Sequence, residues 1–221
     1  MTYLEYKYKV EFGKEEYDEI DRYCKQQGIA WSASPWDMDS VEFLSQYNIP
    51  FIKLPSAMLT NDELVIACAN RFDRLIFSTG MSTQEEVDHA VDIIRATRKA
   101  FDRAQPVGLL HCNSTYPAPV EELNLSTIKT LQEKYPDFEI GYSGHELTIG
   151  TTVASVLLGA SIIERHITLD RNMEGSDHMA SVTPWGLFKL VSGIRELEAA
   201  YGDGIIQVTD SEKAVREKLR G

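Results

Sequence analysis

Short apolar runs alternate with longer stretches of helical period along the chain. Six runs read as strands: Ile29–Ser34, Phe51–Ser56, Arg74–Thr79, Val107–Asn113, Glu139–His145 and Ile162–Thr168. Each is followed by a helix-like segment, and they recur at roughly 22 to 33 residues, the size of a βα unit. Val87, Val91, Ile94 and Phe101 share one helical face, as do Leu187, Leu190, Val191, Ile194 and Leu197. Glu15–Gln27 predicts a helix with Tyr17, Ile20 and Cys24 on one side. Gly150–Gly159 is apolar nearly all round, which predicts a helix buried on several sides. Thr60-x-x-Glu63 and Ser82-x-x-Glu85 have the form of capping boxes. Thr183-Pro184 places a capping hydroxyl before a proline at the first helical position.

Repeated βα units imply a parallel sheet, either a barrel or a doubly wound fold. No glycine-rich dinucleotide fingerprint follows any predicted strand, which disfavours the second. Polar residues gather at the C-terminal ends of five strands: Lys53 and Ser56, Ser78 and Thr79, His111 and Asn113, Ser143 and His145, Glu164 and His166. That is the pattern of a TIM (β/α)8-type barrel, whose βα loops build one site at one rim. A closed barrel needs eight strands, and no strand precedes the first helix. The expectation is therefore an α/β chain truncated to about six βα units. Residues 1–205 are expected to form this partial barrel, and the charged stretch 206–221 to be a linker toward a domain absent from the chain.

The 221 residues, 43% of them apolar, suffice for one sizeable core. A charged fraction of 25% excludes a disordered chain. No run of about 18 apolar residues predicts a membrane span. The start, Met1-Thr-Tyr-Leu-Glu-Tyr-Lys, has no apolar signal-peptide core, so a cytoplasmic protein is expected. A net charge of −12 argues against a nucleic-acid partner. It leaves room for an anionic small substrate, because a local cationic cluster overrides the global sign. Cys24, Cys68 and Cys112 are odd in number and widely spaced, as reduced thiols are. Cys112 follows His111, but neighbours on a strand face opposite sides, so a buried thiol is expected rather than a Cys/His nucleophile.

Imidazole, carboxylate and guanidinium near buried strand ends cost several kcal/mol unless paired or bound to something. His145 and His166 fit either a metal pair or hydrogen-bonded core histidines. Glu164, His166 and Thr168 share one strand face by period two, and Arg165 faces the other. Lys53 and Ser56 offer a charge and a donor to a phosphate or carboxylate. Ser78, just before a helix start, is a further anion contact.

Four runs are matched together, in order and spacing, by one family: Phe77-Ser-Thr-Gly-Met81, His111-Cys-Asn-Ser-Thr-Tyr-Pro117, Gly141-Tyr-Ser-Gly-His145 and Glu164-Arg-His-Ile-Thr168. Lys53-Leu-Pro-Ser56 matches more loosely. The chain resembles the sialic acid synthases, the nonulosonate synthases that include N-acetylneuraminate, legionaminate and pseudaminate synthases. The resemblance implies a complete barrel followed by an antifreeze-like domain, working as a homodimer. The implied transferase condenses phosphoenolpyruvate with an N-acetylmannosamine-type sugar, adding water and releasing phosphate. It implies a divalent metal, manganese or magnesium, on His145 and His166, which are also the implied catalytic residues. It assigns Lys53, Ser56, Asn113 and Ser114 to phosphoenolpyruvate, and Tyr116 and Asp177 to the sugar; Ser143, two residues before His145 on the same strand face, is an anion-contact candidate like Ser78.

Met58 stands where many sialic acid synthases have a sugar-binding glutamate, and Gly144 where many have aspartate. Nothing in Met1–Gly28 matches the family's first-strand glutamate or second-strand lysine. N-acetylneuraminate synthase is the expected function, with this chain by itself weak or inactive. The alternatives are a legionaminate or pseudaminate synthase, a metal-dependent barrel hydrolase, and a non-catalytic binding or assembly remnant.

Overall fold

Five parallel strands, β1 (Ile52–Leu54), β2 (Leu75–Ser78), β3 (Gly108–Cys112), β4 (Glu139–Gly144) and β5 (Ile162–Arg165), pair in chain order. A computed structural model describes residues 2–221, apart from the side chains of residues 3, 4, 6 and 7. Two helices, α1 (Tyr3–Val10) and α2 (Lys14–Gln27), precede α3 (Met38–Leu44). Helices α4 (Asp62–Arg71), α5 (Gln84–Ala100), α6 (Thr127–Lys134) and α7 (Gly150–Leu157) then connect successive strands. After β5 come α8 (Pro184–Tyr201) and α9 (Asp210–Arg220).

The two faces of the sheet differ by the period-two alternation of its strands. Ile52, Leu54, Leu75, Phe77, Leu109, Ile140 and Tyr142 join one buried cluster. Leu64, Val65 and Cys68 of α4, Val87, Val91 and Ile94 of α5, and Ile128 and Leu131 of α6 complete it. Each such side chain removed from water contributes about 1.5–3 kcal/mol, so this layer is the main source of stability. The opposite face carries Lys53, Ile76, Ser78, Gly108, Leu110, Cys112, Gly141, Ser143, Ile162 and Glu164. A Cβ at Gly141 would lie 2.8 Å from the Ile162 Cβ and 2.5 Å from the Ile162 carbonyl, so only glycine fits there.

The sheet is curled. Five flat strands would put β1 and β5 roughly 19 Å apart. Instead Lys53 Nζ on β1 reaches Glu164 Oε2 on β5 at 3.5 Å. The result is a parallel five-strand half-barrel with its polar side chains turned inward.

Several expectations are corrected. Five strands form rather than six, because Ile29–Ser34 makes no ladder among the described residues. It passes β1 through one side-chain bond, Ser32 Oγ to the Phe51 carbonyl at 2.6 Å, while Ile29 stays 63% exposed. Two caps lie one residue later than expected. Asn61 Oδ1 accepts from the Leu64 amide, and Thr83 and Glu86 form the box at α5. α7 is not buried all round: its buried residues are Thr152 and Ser155, whereas Leu157 is 47% exposed. Its polar side faces a buried ion pair described below, so polarity here does not mean solvent. Of the α8 stripe Leu190 is buried, Ile194 and Leu197 are half-buried, and Leu187 and Val191 are exposed. The half-buried residues of α2 do include Tyr17, Ile20 and Cys24. Within 206–221, the stretch read as a linker, lies α9, which buries no residue.

Candidate functional site

All five strands run the same way, so their C-terminal ends share one rim. His145 follows β4 and is 3% exposed. Its Nδ1 lies 2.6 Å from the Asn113 carbonyl, which can only accept, so Nδ1 carries the proton and Nε2 presents a lone pair. His166 follows β5, with its ring centroid 5.1 Å from that of His145. Its Nδ1 is 3.7 Å from Asp177 Oδ2. The Tyr116 ring packs 4.2 Å from His145 and 5.4 Å from His166. Burial pulls the pKa of both imidazoles below the ordinary value, and for His166 the neighbouring His145 adds to it. Neutral imidazole is the form that binds metal.

A second group of polar atoms adjoins this pair. Ser56 Oγ accepts the Gly80 amide at 3.0 Å. Ser114 Oγ lies 3.8 Å from Cys112 Sγ, which is itself 3.8 Å from His145 Nδ1. A Cβ on Gly80 would fall onto the Ser114 hydroxyl and 2.9 Å from Ser56 Oγ. Ser78 Oγ is buried with no hydrogen-bond partner. Lys53 approaches Glu164, whose Oε1 accepts from Ser143 Oγ at 2.7 Å. Hydroxyls and an ammonium thus gather on the inner face beside the Glu164 carboxylate, a local cation and donor set within a chain of net charge −12.

The structure brings His145, His166, Tyr116, Asp177, Ser114 and Ser56 into one connected set, with Lys53, Ser78 and Ser143 on the same inner face. Asn113 differs. Its Oδ1 accepts from the Thr115 amide and its Nδ2 donates to the Glu122 carbonyl, so its side chain serves the loop and its carbonyl orients His145. His111 faces the helical layer and lies 2.6 Å from the Leu123 carbonyl. Burial pushes the Tyr116 hydroxyl up to about 12, which keeps it protonated. Met58 packs against the core cluster.

Gly80 and Glu146 were not singled out from the sequence. Gly80 lies in the Ser78-Thr-Gly-Met81 run directly after a strand, which was its available signal. Glu146 follows His145 but belongs to no strand, and no periodicity marks it. It is fully buried, and Arg165 Nη1 reaches its Oε1 at 3.3 Å. Among the described residues, no three His, Cys, Asp or Glu side chains converge as a metal cage. The fit to a metal is therefore two imidazoles on an open face.

A NeuB family model matches residues 1–206. The chain belongs to the NeuB family. It is 38% identical over 218 residues to human N-acetylneuraminate-9-phosphate synthase, covering 99% of this chain and 59% of that protein. It is 36% identical over 205 residues to the N,N'-diacetyllegionaminic acid synthase of Campylobacter jejuni, covering 93% of this chain and 60% of that one. This NeuB-family chain thus spans less than two thirds of the length of the curated relatives it matches. The crystal structure of N-acetylneuraminic acid synthetase from Leptospira borgpetersenii, in complex with citrate, superposes with a TM-score of 0.82 at 33% identity. It covers 95% of this chain and 72% of that one. No helix is long and apolar enough to cross a membrane among the described residues.

Proposed function

We propose that the chain is the larger part of the catalytic unit of a nonulosonate synthase, its half-barrel belonging to a (β/α)8-type barrel. The proposed reaction condenses phosphoenolpyruvate with N-acetylmannosamine, or a related 2-acetamido sugar, to give a nonulosonic acid and phosphate. One observation carries this reading: the His145–His166–Tyr116 cluster adjoins a set of anion-binding donors on one inner face.

Lys53, Ser56, Ser78, Ser114 and Ser143 are proposed to hold the phosphate and carboxylate of phosphoenolpyruvate, with the Gly80 amide fixing the Ser56 hydroxyl. Tyr116 and Asp177 are proposed to border the sugar. His145 and His166 would hold a divalent metal, manganese or magnesium, which when bound supplies Lewis-acid polarisation of the sugar aldehyde. The Asn113 carbonyl keeps the His145 tautomer correct for that task. The three free cysteines fit a reducing compartment, and the cytoplasm is the proposed location.

Product analysis tests this. The chain with manganese, phosphoenolpyruvate and N-acetylmannosamine should give phosphate only when both substrates are present, with a nonulosonic acid detected by mass spectrometry. The rate should be low, because among the described residues two imidazoles alone would hold the metal. Phosphate release without sugar would point to a hydrolase instead. Unchanged manganese affinity in His145→Ala plus His166→Ala would remove the metal assignment.

A further inference from the structure

Behind the two histidines lies a buried charged cluster that the proposed reaction does not use. Glu146 is the chain neighbour of His145, and Arg165 is the chain neighbour of His166. Their side chains are 0% and 2% exposed. Glu146 Oε1 also accepts from Thr151 at 2.8 Å and Thr152 at 2.6 Å, and Oε2 accepts from Tyr142 at 3.0 Å. Arg165 donates to the Glu146 carbonyl, the Thr148 carbonyl, Thr152 Oγ1 and the Ala180 carbonyl. Its reach therefore takes in both loops that border the site, those after β4 and β5. Arg171 adds a second strap, donating to the Leu147 and Ser181 carbonyls.

A fold that needed only stability would gain little from this arrangement. A buried ion pair is often no better than well-packed apolar residues of the same volume. What the pair does supply is fixed geometry, because a guanidinium fork has few ways to satisfy several carbonyls at once. The backbone makes room for it. A Cβ at Gly144 would lie 2.7 Å from Glu146 Oε2 and 2.8 Å from Tyr142 Cε1.

We infer that Glu146 and Arg165 are positioning residues: a buried clamp that sets the spacing of His145 and His166 and seats the loop carrying Asp177. The inference rests on the metal reading proposed above. Neither residue touches substrate; both act through the histidines. Supporting groups of this kind typically change metal affinity about 10–100-fold when replaced.

The test compares the full chain with Glu146→Gln/Arg165→Met, which neutralises the pair with similar volume. Arg165→Lys serves as the second variant, since it keeps the cation but loses the fork. Manganese affinity is read by calorimetry, folding by circular dichroism, and the imidazoles of the metal-free protein by nitrogen–proton NMR. Both variants should fold and bind manganese about 10–100-fold more weakly. The His145 and His166 resonances should shift and broaden while those of His89, paired with Asp62 on the helical layer, stay in place. Folded variants with wild-type affinity and unmoved His145 and His166 resonances would overturn the clamp. So would loss of folding in both variants, which would make the pair a stability element. If the wild-type chain binds no manganese, the metal reading fails by itself, and the imidazole resonances alone decide whether the clamp positions the histidines.

Discussion

Lys53 and Glu164 sit on the two edge strands of the sheet, β1 and β5, and their side chains meet on its inner face at 3.5 Å. The contact records the curl of the sheet, and it sets a carboxylate against the cation proposed to receive the phosphoenolpyruvate anion. Any anion entering there competes with Glu164 for the Lys53 ammonium.

That competition predicts opposite signs for the two partners. Lys53→Met should weaken phosphoenolpyruvate binding by about tenfold or more, as expected for one lost charge-assisted contact. Glu164→Gln should leave binding equal or tighter, because the ammonium is released. Calorimetric titration of both variants decides it, and weaker binding in Glu164→Gln would refute the competition. Stability should change by roughly 1 kcal/mol or less in either, since the pair is partly exposed.

Gly80 is the narrow point of the proposed anion cradle. In Gly80→Ala the new methyl would displace the Ser114 hydroxyl and crowd Ser56 Oγ. Phosphoenolpyruvate affinity should fall more than manganese affinity, because the Ser114 hydroxyl reaches the imidazole pair only through Cys112. A parallel loss of both would show that the two halves are not separable.

Gly141 makes a contrast. Its missing Cβ faces the Ile162 carbonyl on the neighbouring strand, and backbone cannot step aside as a serine hydroxyl can. Gly141→Ala should cost about 1–3 kcal/mol of folding stability, the usual range for overpacking. Urea denaturation measures it. A midpoint equal to that of wild type would mean that β4 and β5 separate more readily than their pairing suggests.

His111 gives a pH dependence independent of the metal pair. Burial holds its pKa below the ordinary value, although its bond to the Leu123 carbonyl works the other way. The unfolded chain therefore takes up a proton first as pH falls through about 6.5. The stability His111 contributes is fully present above that pH and is lost as pH falls toward its folded pKa. His111→Gln retains a donor for the Leu123 carbonyl but does not titrate. Urea midpoints at several pH values from 7.5 downward should show the advantage of wild type over the variant shrinking with acid. Parallel curves would contradict this.

Much of the site's raw material was legible because parallel strands alternate strictly. Period two alone separates Lys53, Ser78, Ser143 and Glu164 from the apolar residues beside them, and the structure keeps them on one face. Ile29–Ser34 misled because apolar content predicts a strand, whereas a strand exists only where a partner accepts its hydrogen bonds. The helix α7 misled for the converse reason. In a stretch that is apolar nearly all round, the buried residues are Thr152 and Ser155.

Local chain chemistry was enough to specify the βα order, five strand positions and which residues stand at their C-terminal ends. It could not specify that β1 and β5 approach each other, that Glu146 folds back to Arg165, or that the Gly80 amide meets Ser56. Those contacts join residues 19 to 111 positions apart in sequence. They exist only once the twist of each strand pair has accumulated across the sheet and curled it, a property of the assembled strands and of no single segment.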